Sequence, residues 1–362
     1  MSTSNQVKSL PLRARDDDGP DLRKIGLHPD HWYPLARSRD VKAGKAIGRT
    51  FAGEPIVLVR TEGGKLFALE DRCAHRQVPL HAGEVCGEEI KCCYHGWVYN
   101  HEGKCVNIPY VGSSERIPKG VRKYPCREAY GLIFVFPGDP ALADTAFFPD
   151  IPAFADPKYK TRFLDHQVTC HYSFLHENLM DMNHQFLHRK IMAKIKTGFL
   201  GLREGNDWVE VDYTFSRVGK QPMGEKVMLG MRPEPTTERD KDLMTVRTQY
   251  PNQILKFWTA GSEHPALDLW ITYIPVDAKQ RINHTFGLIN IRRPGPVPWL
   301  LDLLWPFIVY FTNGIFSEDK WVVEMEQAAF DAQGADWNQE IFPVILKVRE
   351  LLSRSGVPIE AT

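Results

Sequence analysis

The chain has 362 residues, of which 43% are hydrophobic and 25% are charged, as is usual for a globular protein in water. Its 45 Lys and Arg residues balance its 45 Asp and Glu residues, which disfavours nucleic acid or an anionic membrane surface as a partner. A chain of this length is expected to divide into two domains, because single cores stop growing near this size.

The N-terminal segment, residues 1–27, is polar and has no apolar signal region, which predicts a flexible arm and a cytoplasmic protein. The chain contains seven cysteines, an odd number that also favours a reducing compartment. In such a compartment clustered cysteines indicate metal binding more than disulfides.

The next part of the chain, residues 28–140, is predicted to be rich in β-strands. PIVLVRTEGGKLFALE alternates apolar and polar residues on both sides of a Gly-Gly pair, the pattern of a hairpin, and GLIFVF is a further strand. Residues 141–160 are rich in Pro and Ala and predict a linker. Residues 161–355 contain runs of strands with segregated helices, which favours an antiparallel α+β domain over a doubly wound sheet.

Two short motifs in the β-rich part place cysteine and histidine at the spacing of metal ligands. Sixteen residues separate Cys73-x-His75 from Cys92-x-x-His95. Two thiolates and two imidazoles can bind structural zinc, or a [2Fe–2S] cluster in which one iron has two Cys ligands and the other has two His ligands. The tight C-x-H spacing favours the cluster, because it lets neighbouring ligands reach different irons, and zinc is the alternative.

A third motif, ENLMDMNHQFLH, carries Asp181, His184 and His188. On a helix these residues would lie within about 60° of one another, opposite an apolar stripe. Two histidines and a carboxylate suit a non-haem iron with positions open for O2. The alternative is a surface helix that happens to carry histidines. A second pair, His171 and His176, lacks a preceding aspartate and is interpreted as structural.

The first two motifs resemble the halves of the Rieske motif, and CxYHGW is similar to its second half in Rieske oxygenases. The resemblance implies that Cys92 is a cluster ligand, whereas Cys93, where the family usually has proline, packs without binding iron. Gln77 stands where family members commonly have glycine. The remaining cysteines are interpreted as small buried hydrophobic residues: Cys86, Cys105, Cys126 and Cys170.

The third motif resembles the ligand helix of the same family, which implies that His184 and His188 bind Fe(II). The segment GIFSEDKWVVEMEQ resembles the family's C-terminal ligand segment and implies Asp319 as the third ligand. Asp181 is implied to be a bridge between the two metal centres, which hydrogen-bonds a ligand histidine and carries electrons. Four other carboxylates compete with Asp319: Glu318, Glu324, Glu326 and Asp331.

The resemblance implies an all-β Rieske domain over residues 28–140 and a catalytic helix-grip domain, an antiparallel sheet plus helices, over residues 161–355. The expected function is that of a terminal oxygenase, in which the [2Fe–2S] cluster feeds electrons to Fe(II). The iron activates O2 for ring hydroxylation or O-/N-demethylation of a small aromatic substrate. A separate flavin-dependent NAD(P)H reductase, in some systems through a ferredoxin, would supply electrons, since the chain has no G-x-G-x-x-G fingerprint. The family's electron path implies a homotrimer.

Two other functions stay open: a membrane-associated oxygenase acting on a pigment or lipid, and an electron-transfer Rieske protein with a vacant second site. The apolar segment 297–316 is long enough to span a bilayer. It carries Asp302, Pro306 and Asn313, however, and a mid-span aspartate costs roughly 2.5–3.5 kcal/mol on insertion scales. A buried or surface-docked helix is therefore predicted.

Overall fold

The computed structural model describes residues 21–111, 120–188, 190–192, 194–218 and 240–359, together with four single positions. These positions are Met223, Glu225, Lys226 and Thr237.

The N-terminal half is built from short antiparallel strands. They are β1 (Ile25–Gly26), β2 (Tyr33–Arg37), β3 (Lys45–Phe51), β4 (Glu54–Arg60), β5 (Leu66–Glu70), β6 (Glu84–Cys86), β7 (Glu89–Lys91), β8 (Val98–Tyr99), β9 (Cys105–Asn107), β10 (Lys123–Tyr124), β11 (Cys126–Ala129) and β12 (Leu132–Val135). All of them except β1 form three sheets with the orders β10-β5-β4-β3, β11-β12-β2 and β6-β7-β8-β9. The predicted hairpin is β4–β5, and Gly64 in its turn has a φ of 89°, a left-handed conformation that glycine adopts without strain.

The C-terminal half is one large antiparallel sheet with helices. Its elements are α1 (Pro152–Ala155), β13 (Tyr159–Val168), α2 (Tyr172–Met180), β14 (Lys194–Glu204), β15 (Trp208–Val218), β16 (Asp242–Gln249), β17 (Asn252–Trp258), β18 (Leu267–Pro275), β19 (Asn283–Arg292), α3 (Leu300–Gln333), α4 (Pro343–Ser355) and β20 (Val357–Pro358). The seven long strands follow the order β13-β19-β18-β17-β16-β15-β14. Helix α2 contacts both α3 and α4. This is the predicted α+β arrangement of an all-β unit followed by a helix-grip unit.

The two halves are held together by backbone pairing at several places. Strand β1 pairs antiparallel with β20, so the N-terminal and C-terminal ends of the described chain meet. The turn between β3 and β4 docks on the end of β18, where the Ala52 N–H donates to the Pro275 carbonyl at 2.7 Å. Such hydrogen bonds between the two halves fix the position of the N-terminal half relative to the large sheet.

Two predicted boundaries differ from the structure. Within the predicted arm 1–27, residues 1–20 lie outside the described residues, but the arm is anchored from residue 21 onward. Arg23 is buried, lies over the ring of Phe174 and pairs with Glu177 of α2 at 2.7 Å. The predicted linker 141–160 is likewise packed, since it contains α1 and the Trp32 indole N–H donates to the carbonyl of Ala143. Buried Arg23 thus anchors the first segment, and buried Trp32 anchors the second.

The apolar segment 297–316 contributes the N-terminal part of α3, a helix of 34 residues with Pro306 inside it. Within the described ranges, α3 is the one helix that is long and apolar enough to cross a membrane by length and composition. Ile308 and Phe311 are buried against the protein, whereas Leu303 and Tyr310 are exposed. One side of the helix therefore packs on the protein, as predicted, and the other side faces outward.

Candidate active site

The four predicted cluster ligands lie on two loops of the N-terminal half. Cys73 and His75 follow β5, and Cys92 and His95 lie between β7 and β8. The two imidazole rings approach to 4.6 Å between centroids, and both thiols are buried in the same small core. Burial raises the pKa of the Cys92 thiol. A buried thiolate needs a cationic partner such as iron to offset its lost hydration. The two thiols and two imidazoles therefore fit an iron–sulfur cluster.

The first loop closes through a residue with unusual backbone geometry. The Gln77 N–H donates to the carbonyl of Cys73, and Gln77 has a φ of 60°. That left-handed conformation favours glycine, which explains the family's preference at this position. Glutamine adopts the same turn here, so the departure from the family pattern leaves the loop geometry in place.

Aromatic side chains support the cluster loops. The indole of Trp97 stacks on His75 with 4.8 Å between ring centroids and 3° between planes. The ring of Tyr94 lies against that of His95, with 3.8 Å between ring centroids, and the Tyr94 side chain is 57% exposed. The Tyr99 hydroxyl lies 3.2 Å from the Cys73 sulfur and accepts a hydrogen bond from the Ala74 N–H. The sequence analysis missed Tyr99, although its place two residues beyond the tryptophan of CxYHGW marks it as part of the loop.

The predictions for the other cysteines were partly wrong. Cys93 is exposed and does not pack, because its neighbours Cys92 and Tyr94 turn toward the ligand loop and the ring of His95. Cys105 and Cys170 are buried as predicted. Two others are only partly buried, because they lie in strands at the margins of their small sheets: Cys86 and Cys126.

The predicted helix through Asp181, His184 and His188 is interrupted. Helix α2 ends at Met180, and Asp181 has extended backbone angles of φ −93° and ψ 91°. Its carboxylate accepts a hydrogen bond from the Asn183 N–H at 2.8 Å and so caps a short 3-10 helix, Met182–Phe186. An aspartate side chain competes in this way with continued α-helix formation. The three residues therefore do not share one face of one helix.

The break nevertheless brings the two histidines to the same carboxylate. One ligand atom from each of His184, His188 and Asp319 lies within 4.8 Å of the others. The His188 Nε2 atom is 3.3 Å from Asp319 Oδ1, and the His184 Nε2 atom is 3.8 Å from the same oxygen. That oxygen is buried without a hydrogen-bond partner among the described residues. A buried, unpaired carboxylate oxygen between two imidazoles fits a divalent metal such as iron.

Glu318, a predicted competitor for the ligand position, contacts the other side of His188. Its carboxylate lies 2.9 Å from Nδ1 of His188, and this contact leaves Nε2 toward Asp319. Burial opposes protonation of His188, but the nearby carboxylates of Asp319 and Glu318 outweigh it and raise its pKa. For His184 burial dominates and lowers the pKa. Glu318 is therefore placed to orient the imidazole of His188.

The remaining competitors are engaged elsewhere. Glu324 accepts a hydrogen bond from the Thr169 N–H at 2.8 Å, and Asp331 pairs with Arg281 at 3.0 Å. Burial and the neighbouring Glu177 raise the pKa of Glu326 to about 7. None of the three belongs to the group of potential metal ligands found in the described part of the chain.

The rival pair His171 and His176 is fully buried in the interior, as the structural interpretation predicted. His171 caps α2, because its Nδ1 atom accepts from the Ser173 N–H. The ring of His176 packs edge-on against Tyr172 and Tyr273. Burial lowers the pKa of His176 to about 3.

A cavity of about 180 Å³ borders His184, His188 and Asp319. Besides His184, His188 and Asp319, its wall is formed mostly by apolar side chains of the sheet and of α3, with three polar residues: Asn178, Arg217 and Thr312. Arg217 was missed by the sequence analysis. Its position in phase with the apolar residues of WVEVDYTFSR could have marked it as inward-facing.

Comparison with known proteins defines the class. Residues 31–125 match the Rieske [2Fe-2S] domain, and residues 168–352 match the vanillate O-demethylase oxygenase C-terminal domain. The chain belongs to the Rieske oxygenases, which are oxidoreductases that carry a [2Fe–2S] cluster and a mononuclear iron. The family that the sequence motifs resemble is therefore confirmed as the family of this chain.

Individual relatives match over different extents. A 4beta-methylsterol monooxygenase from Methylococcus capsulatus is 32% identical over 97% of this chain and 93% of its own length. The oxygenase component of dicamba O-demethylase from Stenotrophomonas maltophilia is 38% identical over 44% of this chain and 47% of its own. The crystal structure of dicamba monooxygenase with 3,6 dichlorosalicylic acid has a TM-score of 0.75 and 24% identity, covering 91% of this chain and 98% of that one. This last similarity concerns the fold.

Proposed function

We propose that the chain is a terminal oxygenase in which electrons pass from the cluster of Cys73, His75, Cys92 and His95 to an Fe(II). The observation that carries the proposal is an apolar cavity that borders the proposed iron ligands directly. An electron carrier has no need of such a cavity. Bound to the ligand group, Fe(II) would supply activation of O2 for insertion of oxygen into a substrate C–H bond.

The surrounding residues have distinct tasks in this proposal. His184, His188 and Asp319 hold the metal, and Glu318 fixes the orientation of His188 through Nδ1. The apolar wall excludes water and orients the substrate through shape, since few polar groups line it. Thr312 lies on the cavity wall, but its hydroxyl donates to the carbonyl of Ile308 and is occupied within its own helix.

We assign the electron bridge to Asp181. An open depression at the surface is lined by Asp181, His184 and Phe186, so it lies next to an iron ligand. The cluster carries exposed aromatic residues at its rim, Tyr94 and Tyr110, which suit docking into such a depression on a second copy. The proposed assembly is a homotrimer in the cytoplasm, served by a flavin-dependent NAD(P)H reductase, directly or through a ferredoxin.

The substrate we favour is a bulky apolar molecule that is hydroxylated at a methyl or methylene carbon. The relative matched along nearly the whole chain is named as a monooxygenase of 4β-methylsterols, and the cavity wall is correspondingly hydrocarbon-like. A second candidate is oxidative demethylation of a methylated aromatic compound. The match of residues 168–352 to the vanillate O-demethylase C-terminal domain favours it.

Chemical analysis followed by single turnover tests the proposal. Anaerobically purified protein should contain about three irons and two acid-labile sulfides per chain. Dithionite-reduced protein, given isotopically labelled O2 and a 4-methylsterol or a methoxybenzene, should reoxidise its cluster and form a product that contains the label. Asp319→Asn should keep the visible spectrum of the cluster and lose the product. Labelled product from the variant would remove the ligand group from the mechanism, and an iron site that cannot be filled would favour the electron carrier.

A further inference from the structure

A second, smaller cavity also borders Asp319. Its volume is about 80 Å³, and among the described residues its wall includes Asp319 but neither histidine of the proposed ligand group. Its wall also includes three exposed residues, His166, Ser317 and Lys320. The second cavity therefore extends from side chains in contact with solvent to one of the proposed iron ligands.

Three neighbouring strands contribute a row of polar side chains to this second cavity. In the sheet order β13-β19-β18, His166 of β13 and Tyr273 of β18 both lie directly opposite Thr285 of β19. Residues opposite each other in antiparallel strands point to the same face, with about 4.5–5.5 Å between their Cβ atoms. His166 is exposed, whereas Thr285 and Tyr273 are 5% and 3% exposed, so the row runs from the surface into the interior.

The hydroxyl of Thr285 has no hydrogen-bond partner among the described residues. Burial of a hydroxyl is costly unless it is hydrogen-bonded, and ordered water is the usual partner where space allows. About 10–15 Å³ is enough for one water, so the second cavity has room for several. The Tyr273 hydroxyl donates to Gln253 Oε1 at 2.7 Å and is still able to accept a hydrogen bond from such a water.

The proposed reaction needs a path of this kind. Insertion of one oxygen atom of O2 into a C–H bond consumes two electrons and two protons, and it yields one hydroxyl group and one water. The reductase supplies the electrons, but an apolar substrate in the substrate cavity leaves no polar route there for protons or water. Leu179 and Phe316 line both cavities, so apolar side chains stand between the substrate and the second cavity.

We propose that the second cavity holds a file of ordered waters, bound to Thr285 and Tyr273, that carries protons from solvent to the site at Asp319 and lets water leave. Apolar side chains such as Leu175 and Ile271 complete the wall and confine the waters to the polar row. This inference rests on the proposed function in taking Asp319 as an iron ligand, and it adds the proton supply of the same site. Thr285 is a positioning residue, because it acts on the waters and not on the substrate.

Crystal structures of the iron-loaded, oxidised protein test the water site without turnover. Wild-type crystals should show a water within hydrogen-bond distance of Thr285 Oγ1. Thr285→Val keeps the shape of the side chain and should lose this water, whereas Thr285→Ser should keep it. Xenon bound in a cavity without water, in wild-type crystals under xenon pressure, would identify a path for apolar gas and overturn the inference. If Thr285→Val does not fold, the wild-type crystals still decide, because a dry cavity overturns the inference by itself.

Single turnover of the reduced protein tests the role in proton supply. Thr285→Val should slow product formation by on the order of 100-fold, the lower end of what positioned proton transfer contributes, and Thr285→Ser should restore the rate. An unchanged rate in Thr285→Val would contradict the role. The matched control is Thr272→Val, because the Thr272 hydroxyl is also buried without a partner but lines neither cavity among the described residues.

The control and the wild type separate the possible failures. Thr272→Val should change neither the waters nor the rate, and equal slowing by both valine variants would indicate a general effect on the sheet and overturn the local role. An oxygenated product from a protein whose second cavity is dry would overturn this inference and leave the proposed function standing. Ordered water at Thr285 without any oxygenated product from the wild type would leave the water site standing and count against the proposed function.

Discussion

Glu318 offers the sharpest test of the proposed iron site, because it touches His188, a proposed ligand, without belonging to the group of potential ligands. Its carboxylate lies 2.9 Å from Nδ1 of His188, whose side chain is 8% exposed, while its own is 23% exposed. The contact selects the tautomer that leaves Nε2 free for a metal and fixes the ring plane. Removing it should weaken metal binding without removing a metal–ligand bond.

The expected magnitude differs between two substitutions. Contacts of this kind are worth 10- to 100-fold in metal affinity, or about 1.4–2.7 kcal/mol. Glu318→Gln keeps an oxygen that can accept from Nδ1 and loses only the charge, so we expect a loss near tenfold. Glu318→Ala removes both and frees the ring, so we expect a loss near 100-fold. Asp319→Asn, which removes a ligand, should exceed both.

Competition for Fe(II) against a chromophoric chelator under anaerobic conditions measures these affinities. The visible spectrum of the cluster reports in the same sample whether the protein is folded, and it should not change. Wild-type affinity in Glu318→Ala would show that Glu318 does not orient His188. A loss in Glu318→Gln as complete as that in Asp319→Asn would show instead that Glu318 is itself a ligand.

Three further predictions concern the cluster, the bridge and the buried histidines. Cys92→Ala should abolish the absorbance of the cluster and Cys93→Ala should retain it, and a colourless second variant would reverse the ligand assignment. Asp181→Asn should keep both metals and stop turnover, as checked by iron analysis and product formation; loss of the mononuclear iron would identify Asp181 as a ligand. Burial lowers the pKa of His176 to about 3, below its unfolded value near 6.5, so the unfolded state binds more protons between these values. Stability should therefore fall with decreasing pH below about 6.5, by up to about 1.4 kcal/mol per pH unit from this residue. His176→Gln should flatten the dependence of the melting temperature on pH, and an unchanged slope would contradict this explanation.

The sequence alone predicted those features that depend on residues close together in the chain. The period of apolar residues predicted the β4–β5 hairpin and the strands of the large sheet, because burial on one face of a strand requires alternation. The spacings of Cys73-x-His75 and Cys92-x-x-His95 predicted the cluster loops, since ligand reach is set by a few residues of backbone. The class of protein followed from these motifs.

Other features depend on contacts between residues that are distant in sequence. Asp181 was predicted to continue a helix, but its side chain caps the next turn, and the change of direction brings His184 toward a carboxylate of α3. The distinct roles of Glu318 and Asp319, adjacent in the chain, could not be separated by pattern. The difference arises because neighbouring residues on a helix point in directions about 100° apart, so each reaches a different nitrogen of the same imidazole.

The anchoring of the N-terminal segment and the burial of Arg217 at the cavity wall also required the tertiary structure. Arg23 in a polar stretch and Arg217 near the end of a strand both look solvent-exposed by composition, yet both are buried with carboxylate partners. Burial of a charge is stable only when its partners converge on it, and those partners come from other parts of the chain. Local sequence therefore determined which elements form and which metals they can hold, whereas packing decided which charged side chains are buried with partners.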